Sequence, residues 1–155
     1  MNGQDDCSPT EKAIAPGDGY AGYATPEQTW QILTENPDAV LIDVRTDAEW
    51  SFVGIPDLVA IGKKTKLVAL QNFPDMDVNP DFAKQVEDTG IKKDAPVLFI
   101  CRSGQRSRNA AMILAQRGFE HCYNVAEGFE GTLDGDRHRG VSGGWKFRGL
   151  PWVQQ

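Results

Sequence analysis

The chain has little with which to build cross-links or metal sites. Its 155 residues include three cysteines, Cys7, Cys101 and Cys122, an odd set with no Cys-x-x-Cys pair. That excludes a disulfide framework and a cysteine-based zinc knuckle, and fits a reducing compartment. Histidine is scarcer still. His121 and His138 stand at no metal-ligand spacing from Cys101 or Cys122, so no metal and no other cofactor is expected. No stretch approaches the roughly 18 consecutive apolar residues of a membrane span, and the N-terminus lacks the basic-then-apolar pattern of a secretory signal, which makes the cytoplasm the expected location. Positive charge is in short supply too. The net charge of -6 speaks against nucleic-acid and membrane partners and repels small anions at long range. Internal repeats and low-complexity tracts are missing.

What is present suffices for one folded domain, since 155 residues that are 40% hydrophobic fit a single core. Residues 1–24 are polar, rich in glycine and proline and without apolar periodicity, and read as a flexible or loosely docked arm in which Cys7 has no catalytic part. The domain is expected over 25–155. It opens at Thr25-Pro26-Glu27-Gln28, a capping box with proline at the first helical position, and the helix turns Trp30 and Leu33 to the core before Asn36-Pro37 stops it. Ala39 to Val44 is a short apolar run of the buried-strand kind. Residues 46–71 read as loop with one short strand, because Gly54, Pro56 and Gly62 break any pattern. A second helix follows Asn79-Pro80 with Phe82 and Val86 on its buried face. Its stop is Gly90.

The most informative segment is Val97-Leu-Phe-Ile-Cys101-Arg-Ser-Gly-Gln-Arg-Ser107, an apolar strand ending in a cysteine and a basic turn that opens a helix over Ala110, Ala111, Ile113 and Leu114. The first N–H groups of a helix have no intrahelical acceptor and carry the positive end of the macrodipole, so they favour an anion at that corner. Arg102, Arg106 and Arg108 add charge of the same sign. A nucleophilic sulfur is the chemistry such a corner serves. Cys122 to Val125 then returns as a strand, completing a strand-helix-strand unit, and the whole is α/β with a mainly parallel sheet. Sites in such sheets form at the carboxyl ends of strands, which is where Cys101 lies. The tail beyond Val125, rich in glycine and aromatics, reads as ordered loops closing over the core, with Trp145, Phe147 and Trp152 as core or lid residues.

Several motifs in order resemble the rhodanese-like domain in its single-domain form: Leu41-Ile-Asp-Val-Arg45 with Glu49-Trp50, Gly54-Ile-Pro56, Cys101 to Ser107, Asn124-Val-Ala-Glu-Gly-Phe129, Gly143-Gly-Trp145 and Gly149-Leu-Pro151. Together they run from about Thr25 to Trp152. The chain departs at Phe52-Val53-Gly54, where members often carry a histidine, and Asp134 to Arg139 matches no general motif of the family. The resemblance implies a mainly parallel sheet with helices on both faces and a sulfurtransferase whose Cys101 takes a sulfane sulfur from thiosulfate or another small sulfur-containing anion, or from a persulfide donor. The resulting persulfide passes it to cyanide or a thiol, which includes protein thiols. It places Arg102, Ser103, Gly104, Gln105, Arg106 and Ser107 at the substrate, with Arg102 and Arg106 as charge-assisted donors, Gly104 permitting the turn and Ser107 capping the helix or donating to sulfur.

Asp43, Arg45 and Glu49 are expected to be structural near the site, with Arg45 and Glu49 spaced to pair. Cys122 is expected as core filler. Two other functions stand beside sulfur transfer. A non-catalytic, sulfur-carrier or regulatory module of the same fold would show a reactive thiolate without turnover. A cysteine phosphatase or arsenate reductase typically leaves five residues between cysteine and arginine, whereas four separate Cys101 from Arg106 here.

Overall fold

The computed structural model describes residues 8–154, so Cys7 lies outside the described residues. A six-stranded sheet forms the middle layer. In chain order its strands are β1 (Ala15–Pro16), β2 (Gly22–Ala24), β3 (Val40–Asp43), β5 (Lys66–Leu67), β8 (Pro96–Ile100) and β9 (His121–Val125). They lie in the order β1-β2-β9-β8-β3-β5, antiparallel only between β1 and β2. Register sets Val40 against Val97 and Asp43 against Ile100, so β3 and β8 end level.

Successive side chains of a strand point to opposite faces, and both faces here are apolar, as a parallel sheet covered on two sides requires. Val97, Phe99 and Cys101 join Ile42 and Val44 on one face. There they meet α4 (Phe82–Glu87), through Phe82 and Val86, and α5 (Gln105–Gln116), through Ala110, Ala111 and Leu114. Leu98 and Ile100 join Leu41 on the other face, against Ile32 and Leu33 of α2 (Pro26–Glu35) and Trp145 of the tail. The Thr25–Gln28 capping box starts α2 as its sequence dictates. The mainly parallel sheet with helices on both faces is therefore as expected.

Three stretches differ from the reading of the sequence. Part of the expected arm is built into the fold. Residues 9–12 form α1 (Pro9–Lys12), with a Ser8–Glu11 capping box, and β2 lies parallel to β9. Strands of two and three residues are too short for periodicity to show, and only their pairing with β9 and each other makes them strands. The second is residues 46–71, which hold more than loop: α3 (Asp47–Val53), β4 (Ile55–Pro56) and a 3-10 turn at Val59–Ile61 precede β5. The box Thr46-Asp-Ala-Glu49 that starts α3 stands in the sequence, but the helix has only 7 residues and no fully buried one, so it shows no apolar stripe. A hairpin of β6 (Gln71–Asn72) and β7 (Asp77–Val78) follows. The third is the tail, where Trp145 packs fully into the core as expected but Trp152–Val153 forms β10, antiparallel to β4, in place of loop. Among the described residues, no helix is long and apolar enough to cross a membrane.

Candidate active site

Cys101 follows directly on β8 and is buried. The chain then turns through 102–104 and enters α5, with Gly104 at its N-cap and a φ of +117°, a conformation that glycine adopts and side chains resist. The turn aims its donors back at the sulfur. Gly104 N–H donates to Cys101 Sγ at 3.1 Å, and Ser107 Oγ lies 3.1 Å from the same atom. Ser107 Oγ in turn donates to Asn124 Oδ1 at 2.6 Å, and Asn124 Nδ2 donates to Gly104 O at 2.9 Å. Sulfur, turn, helix and β9 are thus closed in one ring. The serine hydroxyl has a single proton to share between Asn124 and the sulfur. With that proton donated to Asn124 Oδ1, the Ser107 oxygen is free to accept from the thiol, and Gly104 N–H also points at the sulfur.

Arg106 is spoken for. Its Nη1 and Nη2 donate to the two carboxylate oxygens of Glu49 at 2.7 and 2.9 Å, and Thr46 N and Oγ1 also donate to Glu49 Oε1, at 3.2 and 3.1 Å. Burial pushes the Glu49 carboxyl up, but the Arg106 hydrogen bonds and charge, with the Thr46 donors, outweigh it and hold the group below its ordinary value. Burial works against the Arg106 charge, and Glu49 raises its pKa despite that. This corrects the expected Arg45–Glu49 pair. Arg45 instead turns back on Asp43, with Nη2 at 2.6 Å from Oδ2 and Nε at 3.0 Å from Oδ1, while Nη2 also donates to Gly54 O at 2.7 Å. The pair is fully buried and its guanidinium stacks 4.3 Å from the Phe129 ring centroid. Asp43 and Arg45 hold the ends of β3 and the 54–56 segment together and do not line the cleft over the cysteine.

The backbone of the cysteine corner is braced by the segment after β9. Phe129 N donates to Cys101 O at 2.8 Å, and Glu130 N to Arg102 O at 3.0 Å. Gly128, at φ +67°, lies so close that a Cβ there would stand 2.6 Å from both carbonyl oxygens. Cys122, by contrast, is core filler as expected. It is fully buried, and burial pushes its thiol up to about 12.

Over Cys101 opens a cleft of about 1190 Å³. Arg102, Ser103, Gln105 and Arg106 line it, Arg106 with its guanidinium turned to Glu49, while Gly104 and Ser107 sit behind the sulfur. Residues that no motif singled out also line it: Phe52 from α3, Phe73 and Met76 from the 71–78 hairpin, Asn109 from α5 and Leu133 from the loop after Phe129, and the 134–139 stretch, unmatched to the family but readable as a loop at the site mouth, adds Arg137 and Arg139. Asn124 was legible only as part of a motif. Its chemistry depends on β9 lying beside β8, which no local pattern reports.

The rhodanese-like domain pattern matches residues 25–134. An uncharacterized protein of Rickettsia conorii is 38% identical over 125 residues, covering 81% of this chain and 91% of the relative. The thiosulfate sulfurtransferase GlpE of Glaesserella parasuis is 33% identical over 109 residues, covering 70% and 83%. Among solved structures, Rv0390 from M. tuberculosis superposes with a TM-score of 0.78 at 44% identity, covering 86% of this chain and all of that one (100%).

Proposed function

The chain belongs to the rhodanese-like domain family, and on that premise we propose that it is a sulfurtransferase working through a persulfide on Cys101. The observation that carries this reading is the sulfur's setting: Cys101 Sγ at a helix start, with Gly104 N–H and Ser107 Oγ each at 3.1 Å. In the first half-reaction the Cys101 thiolate attacks the sulfane sulfur of thiosulfate or of a persulfide. A new S–S bond forms, the donor's bond to that sulfur breaks, and its electron pair leaves with sulfite or the donor thiolate. In the second, cyanide or a thiolate attacks the outer sulfur of the persulfide and Cys101 leaves as thiolate. Sulfur is anionic at the start and end of each half, so donors fixed at the corner serve both without reorganising.

Arg106 enters this mechanism as a positioning residue: it ties the first turn of α5 to Glu49 of α3 and keeps its positive charge beside the sulfur. That commitment also tells against the phosphatase reading, since an arginine gripping a phosphate needs its fork free. Intact mass before and after thiosulfate tests the proposal. Wild type gaining one sulfur atom, with Cys101→Ser gaining none, is the expected result; equal gain in both, or gain in neither with thiosulfate and with a protein persulfide, overturns it.

A further inference from the structure

The cleft holds more positive charge than sulfur transfer from thiosulfate uses. Of its lining charges, Arg106 and Glu49 neutralise each other. There remain Arg102, Arg137 and Arg139 against the single carboxylate of Glu130. Arg102 and Arg137 have no carboxylate partner among the described residues, and Arg139 makes one bond, Nη1 to Gly131 O at 2.8 Å. In a chain of net charge -6, three such guanidiniums around one cysteine are a local reversal of sign.

The loop that carries Arg137 and Arg139 is closed and internally organised. At its neck, backbone meets backbone: a Cβ on Gly144 would stand 2.6 Å from Gly131 N, and Gly144 N–H donates to Glu127 Oε1 at 2.8 Å. Inside it, one carboxylate oxygen of Asp134 accepts from the N–H groups of Asp136 and His138 at 2.9 and 2.8 Å, and Gly140 N donates to Glu130 O at 2.7 Å. Arg137 sits at φ +64°, a conformation costing a non-glycine residue about 1 kcal/mol that this turn maintains. The same cleft is also lined by exposed apolar side chains, Phe52, Phe73 and Leu133. Its volume of about 1190 Å³ matches or exceeds the roughly 300–1,000 Å³ of sites for drug-sized ligands. Thiosulfate and cyanide have neither a carbon skeleton nor the size to use it.

We propose that Arg137 and Arg139, with Arg102, form an anion subsite for the carboxylate or phosphate of an organic thiol acceptor, whose carbon skeleton lies against Phe52, Phe73 and Leu133 while its sulfur reaches Cys101. The inference rests on the sulfur-transfer reading and specifies its second half. The acceptor thiolate attacks the outer sulfur of the Cys101 persulfide, the bond between that sulfur and Cys101 Sγ breaks, and Cys101 leaves with the electron pair; no oxidant or reductant is consumed. The guanidinium fork suits both kinds of anion, and three acceptors tell them apart: glutathione with carboxylates, coenzyme A with phosphates, and uncharged 2-mercaptoethanol.

The test compares kcat/KM for these acceptors in wild type and in R137Q/R139Q, with thiosulfate as donor. The expected result is that preference for at least one anionic thiol over mercaptoethanol falls about tenfold in the variant, and the thiol affected identifies the anion. Equal changes for all three acceptors, or none, overturn the subsite. A second readout does not depend on turnover. In a Cys7→Ser background, the rate of Cys101 modification by dianionic dithiobis(nitrobenzoate) relative to neutral dithiodipyridine should fall in R137Q/R139Q. If wild type forms no persulfide but shows this disulfide preference, the transfer reading fails and the anion subsite stands as a binding site. If the persulfide forms and both preferences survive the substitutions, the subsite fails and the transfer reading stands.

Discussion

Arg106 and Glu49 face each other in a two-pronged ion pair, at 2.7 and 2.9 Å, that joins the first turn of the cysteine's helix to a helix 57 residues earlier in the chain. Each side chain is mostly covered, so the pair is screened less than a surface bridge and more than a buried one. A double-mutant cycle with Glu49→Gln and Arg106→Gln, read by urea denaturation, should return a coupling of about 1–2 kcal/mol. A coupling within error of zero would mean that water, not Glu49, satisfies Arg106.

The same pair sets a dependence on pH. Because the Glu49 carboxyl is held below its ordinary value by Arg106 and Thr46, its contribution is fully present above the unfolded carboxyl's pKa near ~4.3 and is lost as pH falls below that value. The stability difference between wild type and Glu49→Gln should therefore be constant from about pH 7 to 5 and shrink between about pH 4 and 3. Urea midpoints along that range check the sign; a gap that widened on acidification would refute the assignment.

Asn124 should matter to turnover although it touches no substrate. Replacing it by alanine removes the acceptor of Ser107 and the donor to Gly104 O, leaving a buried hydroxyl free to rotate and the turn unbraced. Loss of such partners costs about 1–3 kcal/mol, so a fall in kcat/KM of roughly 10- to 100-fold is expected in the thiosulfate-cyanide assay. Asn124→Asp keeps the bond to Ser107 but places a charge beside the sulfur. Its urea midpoint, compared with that of the alanine variant, shows whether the fall in kcat/KM follows lost stability, and a fall at unchanged midpoint is the expected result for a positioning role.

Gly128→Ala should destabilise the domain by about 2–4 kcal/mol, since the added methyl meets the Cys101 and Arg102 carbonyls at 2.6 Å as well as straining a φ of +67°. Gly62 has a similar φ, +70°, with nothing within 4 Å of the added methyl, and its alanine variant should lose only about 1 kcal/mol. Thermal midpoints of the two variants separate steric contact from backbone strain.

Cys122→Ala should leave persulfide formation intact, because its buried thiol, pushed up to about 12, supplies no thiolate near neutral pH. The fully buried sulfur leaves a small void, and a cost of about 1 kcal/mol is expected. Mass spectrometry with thiosulfate would show a lost sulfur adduct if Cys122 took part.

What the amino-acid sequence determined was encoded within single turns and strands long enough to show a period, which the short helices begun by the boxes at Ser8 and Thr46 are not. The Thr25–Gln28 capping box, the apolar β8 run and the helix period of α5 each carry their own signal, and together they placed Cys101 at the corner where its donors converge. Partner choice lay beyond it. Arg45 and Glu49 are spaced to pair on a helix, but Arg45 precedes the N-cap of α3 and is not in helical conformation, so it turned inward to Asp43 and left Glu49 to Arg106. Asn124 reached Ser107 across 17 residues only because β9 lies beside β8. The cleft's far wall depended on glycine necks that fold the 131–143 loop back over the cysteine. Local patterns report hydrogen bonds along the chain and the burial of a face; which charge meets which, and what stands over the nucleophile, is decided by packing between segments distant in sequence.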